Sequence, residues 1–280
     1  MDGDRTGRKQ AKRLLSVVIA LFGIGAALVG CSATTTSGSP LPTTSAPVFS
    51  DWRVGATPLP LQPDGYGEIE PTPAALVNRR LPTTDFLPPP TDGGFHSTSA
   101  PVPAAVLARS TWQAGCPVTK AAQRYLTMSF WGFDDKPHTG EMIVNAQVAS
   151  AVPKVFAQLF AEHFPIEEMR VASVTEATAR PTGDGNNTTA FVCRPAVGQT
   201  TWSAHAYGLA IDVNPFCNPY REGDLIVPEL SSSYLNRADV RPGMVLPGDA
   251  TIRAFASVGW TWGGSWTSPK DLMHFTANGH

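Results

Sequence analysis

Charged side chains are scarce in this sequence, at 16% of 280 residues, and the formal net charge is only -2. No basic block follows the first 13 positions, so we expect no nucleic-acid partner. After the N-terminal region no run of 18 apolar residues occurs, which excludes a polytopic membrane protein. Four cysteines are too few to build a disulfide scaffold of this length, so the fold must depend on a hydrophobic core.

The N-terminus has the pattern of an export signal. Five lysine and arginine side chains precede an apolar stretch over residues 14–29, and Cys31 follows directly after Gly30. Small residues before a cysteine match the bacterial lipobox. We therefore predict a signal peptide over residues 1–30, a lipid on Cys31 and an exported protein anchored to the outer face of the cell membrane. An ordinary signal peptide or an uncleaved anchor helix is the alternative.

Residues 31–108 are rich in serine, threonine and proline. Of the 26 prolines, 14 lie between Pro40 and Pro103, and single apolar residues are scattered among them. Such a composition is typical of an extended or disordered segment. We therefore predict a tether over 31–108, followed by one catalytic domain over 109–280.

Residues 109–280 predict an α+β fold, with a small, mostly antiparallel sheet flanked by helices. Apolar residues recur every three or four positions from Val148 to Phe160, which indicates an amphipathic helix. Helices and strands do not alternate as they would in a parallel α/β sheet. The pattern predicts further helices over 112–128 and 251–258, and strands over 142–144, 169–174, 189–192, 209–213 and 260–262.

Two separated clusters carry the candidate chemistry. In the first, His205 precedes a turn at Gly208 and a short apolar strand that ends at Asp212. In the second, Asp271 and His274 are three residues apart, so in a helical turn they would share one face. Two imidazoles and one carboxylate form the ligand set of a catalytic zinc site with an open fourth position. We predict that His205, Asp212 and His274 bind Zn²⁺ and that Asp271 is the general base.

Each of these carboxylates has an alternative interpretation. Asp212 lies between two apolar residues and is expected to be at least half-buried, so it needs a metal or a cationic partner such as Arg194. Asp271 could instead serve as a helix cap.

The two clusters together resemble a known peptidase family. Ser203-x-His205-x-x-Gly208-x-Ala210-x-Asp212 and Asp271-x-x-His274-Phe275 are similar to the motifs of VanY-type D-alanyl-D-alanine carboxypeptidases and the related L-alanyl-D-glutamate endopeptidases. The resemblance extends from about residue 115 to 275. It implies the hedgehog/D-Ala-D-Ala metallopeptidase fold, the same three zinc ligands and catalysis by the acid three positions before the last histidine.

The resemblance also implies roles for residues around the motifs. Arg194 is the candidate to stabilise an oxyanion or bind a substrate carboxylate, with a structural ion pair as the alternative. Ser203 and Tyr207 are candidates to orient the ligands or the substrate, and Trp266 is either a substrate platform or part of the core. The segments around Cys116 and Cys193 look like family features, which favours a disulfide between them over one between Cys193 and Cys217.

These expectations combine into one predicted function. The protein would be a monomeric zinc peptidase that hydrolyses peptidoglycan stem peptides, most simply as a D-alanyl-D-alanine carboxypeptidase. Many relatives have glutamate where this chain has Asp271, and that difference keeps an L-alanyl-D-glutamate-type endopeptidase as the alternative. A peptidase for a D-Ala-D-Ala-like depsipeptide and a non-catalytic wall-binding module on the same fold also remain open.

Overall fold

The computed structural model describes residues 48–196 and 198–279, which belong to one compact unit. The predicted signal peptide, Cys31 and the first part of the predicted tether lie outside the described residues. Within the described ranges, no helix combines the length and the apolar character that crossing a membrane requires.

The strands form small sheets that are antiparallel with one exception. The strands are Ser97–Pro101 (β1), Gln123–Trp131 (β2), Pro137–Asn145 (β3), Glu168–Met169 (β4), Asn187–Thr188 (β5), Ala210–Asp212 (β6), Tyr220–Glu222 (β7), Leu225–Val227 (β8), Thr261–Trp262 (β9), Lys270–Asp271 (β10) and His274–Thr276 (β11). One sheet has the order β1-β2-β3, a second β10-β7-β8 and a third β6-β11-β9, while β4 and β5 form a short parallel pair. The predicted α+β class with mostly antiparallel sheets is confirmed, and the hedgehog-type fold stays a prediction.

Short helices cover these sheets. The amphipathic helix predicted near 148–160 is α3, whose residues Val152, Val155, Phe156 and Leu159 are buried against β2 and α5. Helix α5 confirms the helix predicted over 251–258. The helices are Ala74–Val77 (α1), Ala104–Arg109 (α2), Val152–Ala161 (α3), Val174–Thr178 (α4) and Ala250–Ala256 (α5), with 3-10 turns at Lys120–Ala122, Ala204–Tyr207, Ser232–Leu235 and Gly263–Ser265.

The helix predicted over 112–128 is wrong. The chain from residue 123 is strand β2, which pairs with β3 over nine residues. Leu126, Met128 and Phe130 are buried at alternate positions, which is the period of a strand with one face on the core.

The strand predicted over 169–174 is also shorter than expected. It is reduced to β4, because Ser173 and Glu176 form a capping box that starts α4 at Val174. The capping box, a local signal for a helix N-terminus, thus outweighs the strand propensity of these residues.

The predicted tether ends much earlier than residue 108. Leu59, Leu76, Leu81 and Val106 are buried, and β1 pairs with β2 along its whole length. The Arg79 guanidinium makes two hydrogen bonds of 2.6 Å to the Glu167 carboxylate, and both side chains are almost completely buried. Residues 48–108 are therefore part of the folded unit, because Leu59 and Leu76 pack in one apolar cluster of the core and Val106 packs in another.

One disulfide joins Cys116 and Cys193, as the family resemblance implies. The alternative pairing of Cys193 with Cys217 is wrong, because Cys217 is a free, buried thiol. The cross-link joins the loop after α2 to the segment that leads to the first cluster of candidate site residues.

Candidate metal centre

His205 is held in a tight turn at the edge of the core. It lies in the 3-10 turn Ala204–Tyr207, which Gly208 ends with a φ of 68°. A Cβ at position 208 would lie 2.6 Å from the backbone nitrogen of Asn145, at the end of β3. Glycine is therefore required both for the left-handed conformation and for the close packing of the turn on β3.

Asp212 and His274 are brought together by strand register. In the antiparallel pair β6–β11, His274 lies directly opposite Asp212. Directly opposite side chains of an antiparallel pair project from the same face of the sheet. The structure thus brings together two residues that are 62 positions apart in the sequence.

The three side chains converge on one point. His205 Nε2 lies 3.1 Å from His274 Nδ1 and 3.2 Å from Asp212 Oδ1, and His274 Nδ1 lies 3.1 Å from Asp212 Oδ1. These three are the group of potential metal ligands found among the described residues. A tetrahedral zinc with bonds of roughly 2.0–2.1 Å needs ligand atoms about 3.3 Å apart. The residues present therefore fit a zinc ion.

A backbone carbonyl orients His205 toward this point. His205 Nδ1 lies 2.6 Å from the carbonyl oxygen of Ala190, which can only accept a hydrogen bond. The proton is therefore on Nδ1, and Nε2 presents its lone pair to the other two ligands. A metal-binding imidazole usually donates its other ring N–H to a carbonyl or carboxylate in this way.

The Asp212 carboxylate is kept ionised. Burial opposes ionisation, but the adjacent His205 and His274 outweigh it and hold the pKa of Asp212 well below its usual range. Its ionic partners among the described residues are these two histidines, so the expected alternative, a pair with Arg194, is not formed there.

Asp271 lies beside the three ligands, but not as predicted. The sequence spacing suggested a helical turn, whereas Asp271 ends β10 and His274 begins β11. Asp271 pairs with Tyr220 of β7, so its position is set by a different sheet from that of His274. The interpretation of Asp271 as a helix cap is therefore also wrong.

The Asp271 carboxylate is buried and incompletely bonded. Its Oδ1 atom is inaccessible and has no hydrogen-bond partner. Burial, followed by the charge of Asp212, raises the pKa of Asp271 to about 7. A carboxylate with these properties is suited to exchange a proton near neutral pH.

An open cavity of about 630 Å³ lies over these residues, within the range of small-molecule sites. The ligands and Asp271 line it, and so do the four other predicted site residues, namely Arg194, Ser203, Tyr207 and Trp266. The Trp266 ring centroid is 5.5 Å from that of His274. Ser203 Oγ instead donates to the carbonyl of Arg194, and 36% of Tyr207 is exposed.

Sequence reasoning missed two aromatic residues of the cavity. Tyr220 forms part of the wall and donates a hydrogen bond to Glu222, and Trp202, 40% exposed, also lines it. Trp202 lies directly before Ser203, the first residue of the first motif, so its position could have indicated it. Tyr220 lies eight residues after Asp212 and outside both motifs, so no such signal pointed to it.

Comparison with known proteins gives one match. Residues 197–277 match a family described as D-alanyl-D-alanine carboxypeptidase. No curated protein and no solved structure matches the chain. The matched segment contains His205, Asp212, Asp271 and His274, whereas Arg194 and the disulfide precede it. The part of the chain that builds the candidate metal centre is thus similar to a peptidase family.

Proposed function

We propose that the protein is a zinc-dependent peptidase that hydrolyses peptidoglycan stem peptides, most simply as a D-alanyl-D-alanine carboxypeptidase. The observation that carries the proposal is the triangle of potential ligand atoms from His205, Asp212 and His274 beside the Asp271 carboxylate, whose Oδ1 atom has no hydrogen-bond partner. The match of residues 197–277 supports the peptidase class.

The donor set supports zinc in a catalytic role. Two imidazole nitrogens and one carboxylate oxygen leave a fourth position for water or substrate, whereas a structural zinc takes four protein ligands. When bound, zinc supplies Lewis acidity, which polarises the scissile carbonyl and lowers the pKa of water.

Asp271 performs the proton transfers in this mechanism. Asp271 lines the cavity and its pKa is raised to about 7, so its carboxylate is suited to accept the proton of the attacking water. The proton then passes from Asp271 to the nitrogen of the departing amine. No serine nucleophile takes part, so β-lactams should not inactivate the protein by acylation.

Arg194 supplies the positive charge of the cavity. Among the described residues its guanidinium has no carboxylate partner, and Nη1 donates to the carbonyl of Pro195 at 3.1 Å. A cation without an ion pair can hold the carboxylate end of a peptide or a developing oxyanion. The first of these roles would suit a carboxypeptidase, whereas the second would serve the endopeptidase alternative equally well.

The cellular setting follows from the N-terminal sequence. Export through the signal at residues 1–30 and lipid attachment at Cys31 would place the domain at the outer face of the membrane, where peptidoglycan is the available polymer. Residues 32–47 would then separate the folded unit from the lipid.

The experiment is digestion of purified muropeptides by the zinc-loaded full-length protein, followed by mass spectrometry. Loss of one terminal alanine identifies a carboxypeptidase, and cleavage after the first residue of the stem identifies the endopeptidase. Chelation should abolish the reaction and zinc should restore it.

The Asp271→Asn variant tests the mechanism. We expect turnover to fall by roughly 10²- to 10⁴-fold, because general-base catalysis is lost. Zinc binding should persist, since Asp271 is not one of the three ligands. Asp224→Asn, which changes an exposed acid between β7 and β8, serves as the control. Equal turnover by Asp271→Asn and wild type would refute the mechanism, and no turnover by zinc-loaded wild type would favour a wall-binding module.

A further inference from the structure

The segment from Ala190 to Arg194 runs along the candidate metal centre. The Ala190 carbonyl orients the His205 ring, and the Val192 amide donates to the His205 carbonyl at 3.3 Å. At the end of this segment, Arg194 reaches the cavity. One short stretch therefore carries both the orienting group of a ligand and the free cation.

The first end of this segment is buried in the core, and the second end is not. Ala190 and Phe191 are buried in the core, at 0% and 1% exposure. Cys193 and Arg194 are only partly buried, and the Arg194 side chain bonds within the described residues to the carbonyl of the next residue alone. The position of Arg194 thus depends on what anchors its backbone.

Two sets of contacts anchor that backbone. Cys193 is joined to Cys116 by the disulfide, and its amide donates to Thr111 Oγ1 at 3.0 Å. On the other side, the amide and the hydroxyl of Ser203 donate to the Arg194 carbonyl at 3.3 Å and 3.1 Å. The disulfide is the covalent member of the set and is attached directly before Arg194.

We propose that Cys116 and Cys193 act as a positioning pair, whose disulfide holds Arg194 toward the metal centre and so sets the rate of peptide hydrolysis. The proposal rests on the peptidase function proposed above. The metal ligands do not depend on the cross-link, because Ala190 is fixed by core packing and Asp212 and His274 by strand register.

A double-mutant cycle tests the coupling. The Cys116→Ala/Cys193→Ala variant should lose roughly 10- to 100-fold in kcat/KM, because displacement of a positioned group by about 1 Å has effects of that size. In an Arg194→Ala background, the same pair of substitutions should change kcat/KM less than twofold. Equal losses in both backgrounds, or full activity of the disulfide-free variant, would overturn the proposal.

Two readouts separate positioning from loss of structure. The absorption spectrum of bound Co²⁺ should be the same with and without the disulfide, which shows that the metal centre is intact. Assays are run below the unfolding transition of each variant. Reduction of the wild-type protein by a phosphine at low temperature provides the same comparison without substitutions, and reductant should not affect the disulfide-free variant, in which the remaining thiol in the described region, Cys217, is buried.

A substrate-free measurement distinguishes failure of this inference from failure of the proposed function. The Ser203 amide donates to the Arg194 carbonyl, so its hydrogen exchange should be at least tenfold faster without the disulfide. Unchanged exchange would overturn the positioning claim even if the protein is a peptidase. If wild type hydrolyses no stem peptide, the peptidase proposal fails while the exchange result still decides whether the disulfide positions Arg194.

Discussion

Asp271 combines burial with an incomplete set of hydrogen bonds. A carboxylate with one inaccessible oxygen that lacks a hydrogen-bond partner destabilises the folded state when it is charged. The unfolded chain ionises Asp271 at the ordinary aspartate pKa, whereas burial and Asp212 raise the pKa in the folded protein to about 7. Between these values the folded state binds more protons, so the stability of the metal-free protein should fall as pH rises.

Asp271→Asn should therefore stabilise the metal-free protein while it lowers turnover. We expect a gain of about 1–3 kcal/mol in the free energy of unfolding at pH 8, the usual cost of an unsatisfied buried group. Below the ordinary pKa of aspartate the gain should shrink, because Asp271 is then neutral in both states. Urea unfolding of the chelator-treated proteins at the two pH values measures the difference. A variant less stable than wild type at pH 8 would show that Asp271 has a partner that stabilises its charge.

The strands that carry the site residues differ in how well the sequence predicts them. The strand that ends at Asp212 could be predicted because Leu209, Ala210 and Ile211 form an apolar run between Gly208 and the carboxylate. The strand position of Asp271 could not, since a separation of three residues fits a helical turn as well as two short strands. Register in β10 and β11 is set by pairing with β7 and β6, which are contacts distant in the sequence.

Gly208 connects the first motif to the packing of β3. Gly208→Ala adds a Cβ in a conformation with a φ of 68° and 2.6 Å from the Asn145 nitrogen, so the turn that holds His205 must shift. We expect a loss of about 1–3 kcal/mol in stability together with weaker zinc binding. Urea unfolding and zinc competition with a chelator are the measurements.

Gly259→Ala, at a glycine after α5, is the matched control for the Gly208 substitution. Gly259 has a φ of 83°, but its added Cβ would meet no atom within 4 Å. It should show the backbone strain without the displacement of His205, so zinc affinity should stay at the wild-type value. Equal effects on zinc affinity would mean that the contact between Gly208 and β3 does not position His205.

At the scale of the whole molecule, composition was a poor guide to residues 48–108. Proline and serine content indicated a tether, yet Leu59, Leu76 and Leu81 are buried. Such a segment adds a few side chains to a core that is formed mainly by the rest of the chain. Its own sequence has no helical or strand periodicity, so its burial cannot be predicted from it. The pairing of Arg79 with Glu167 spans 88 positions and has no local signal.

Arg79 makes a buried ion pair that links this segment to the rest of the folded unit. Its guanidinium binds Glu167 through two hydrogen bonds, and it lies 4.5 Å from the centroid of the Phe216 ring. The Glu167 amide in turn donates to Asn214, two residues after Asp212. The segment is thus connected through buried groups to the strand that carries Asp212, a candidate metal ligand.

Arg79→Ala should destabilise the protein by about 3–5 kcal/mol, because it leaves the Glu167 carboxylate buried without its cation. The neighbouring Arg80 offers a matched control, since its carboxylate partner, Asp135, is exposed. Arg80→Ala should cost less than about 1 kcal/mol, as is usual for surface pairs. Urea unfolding of both variants gives the comparison. Equally small losses for the two substitutions would mean that the buried pair of Arg79 and Glu167 adds no more to stability than a surface pair does.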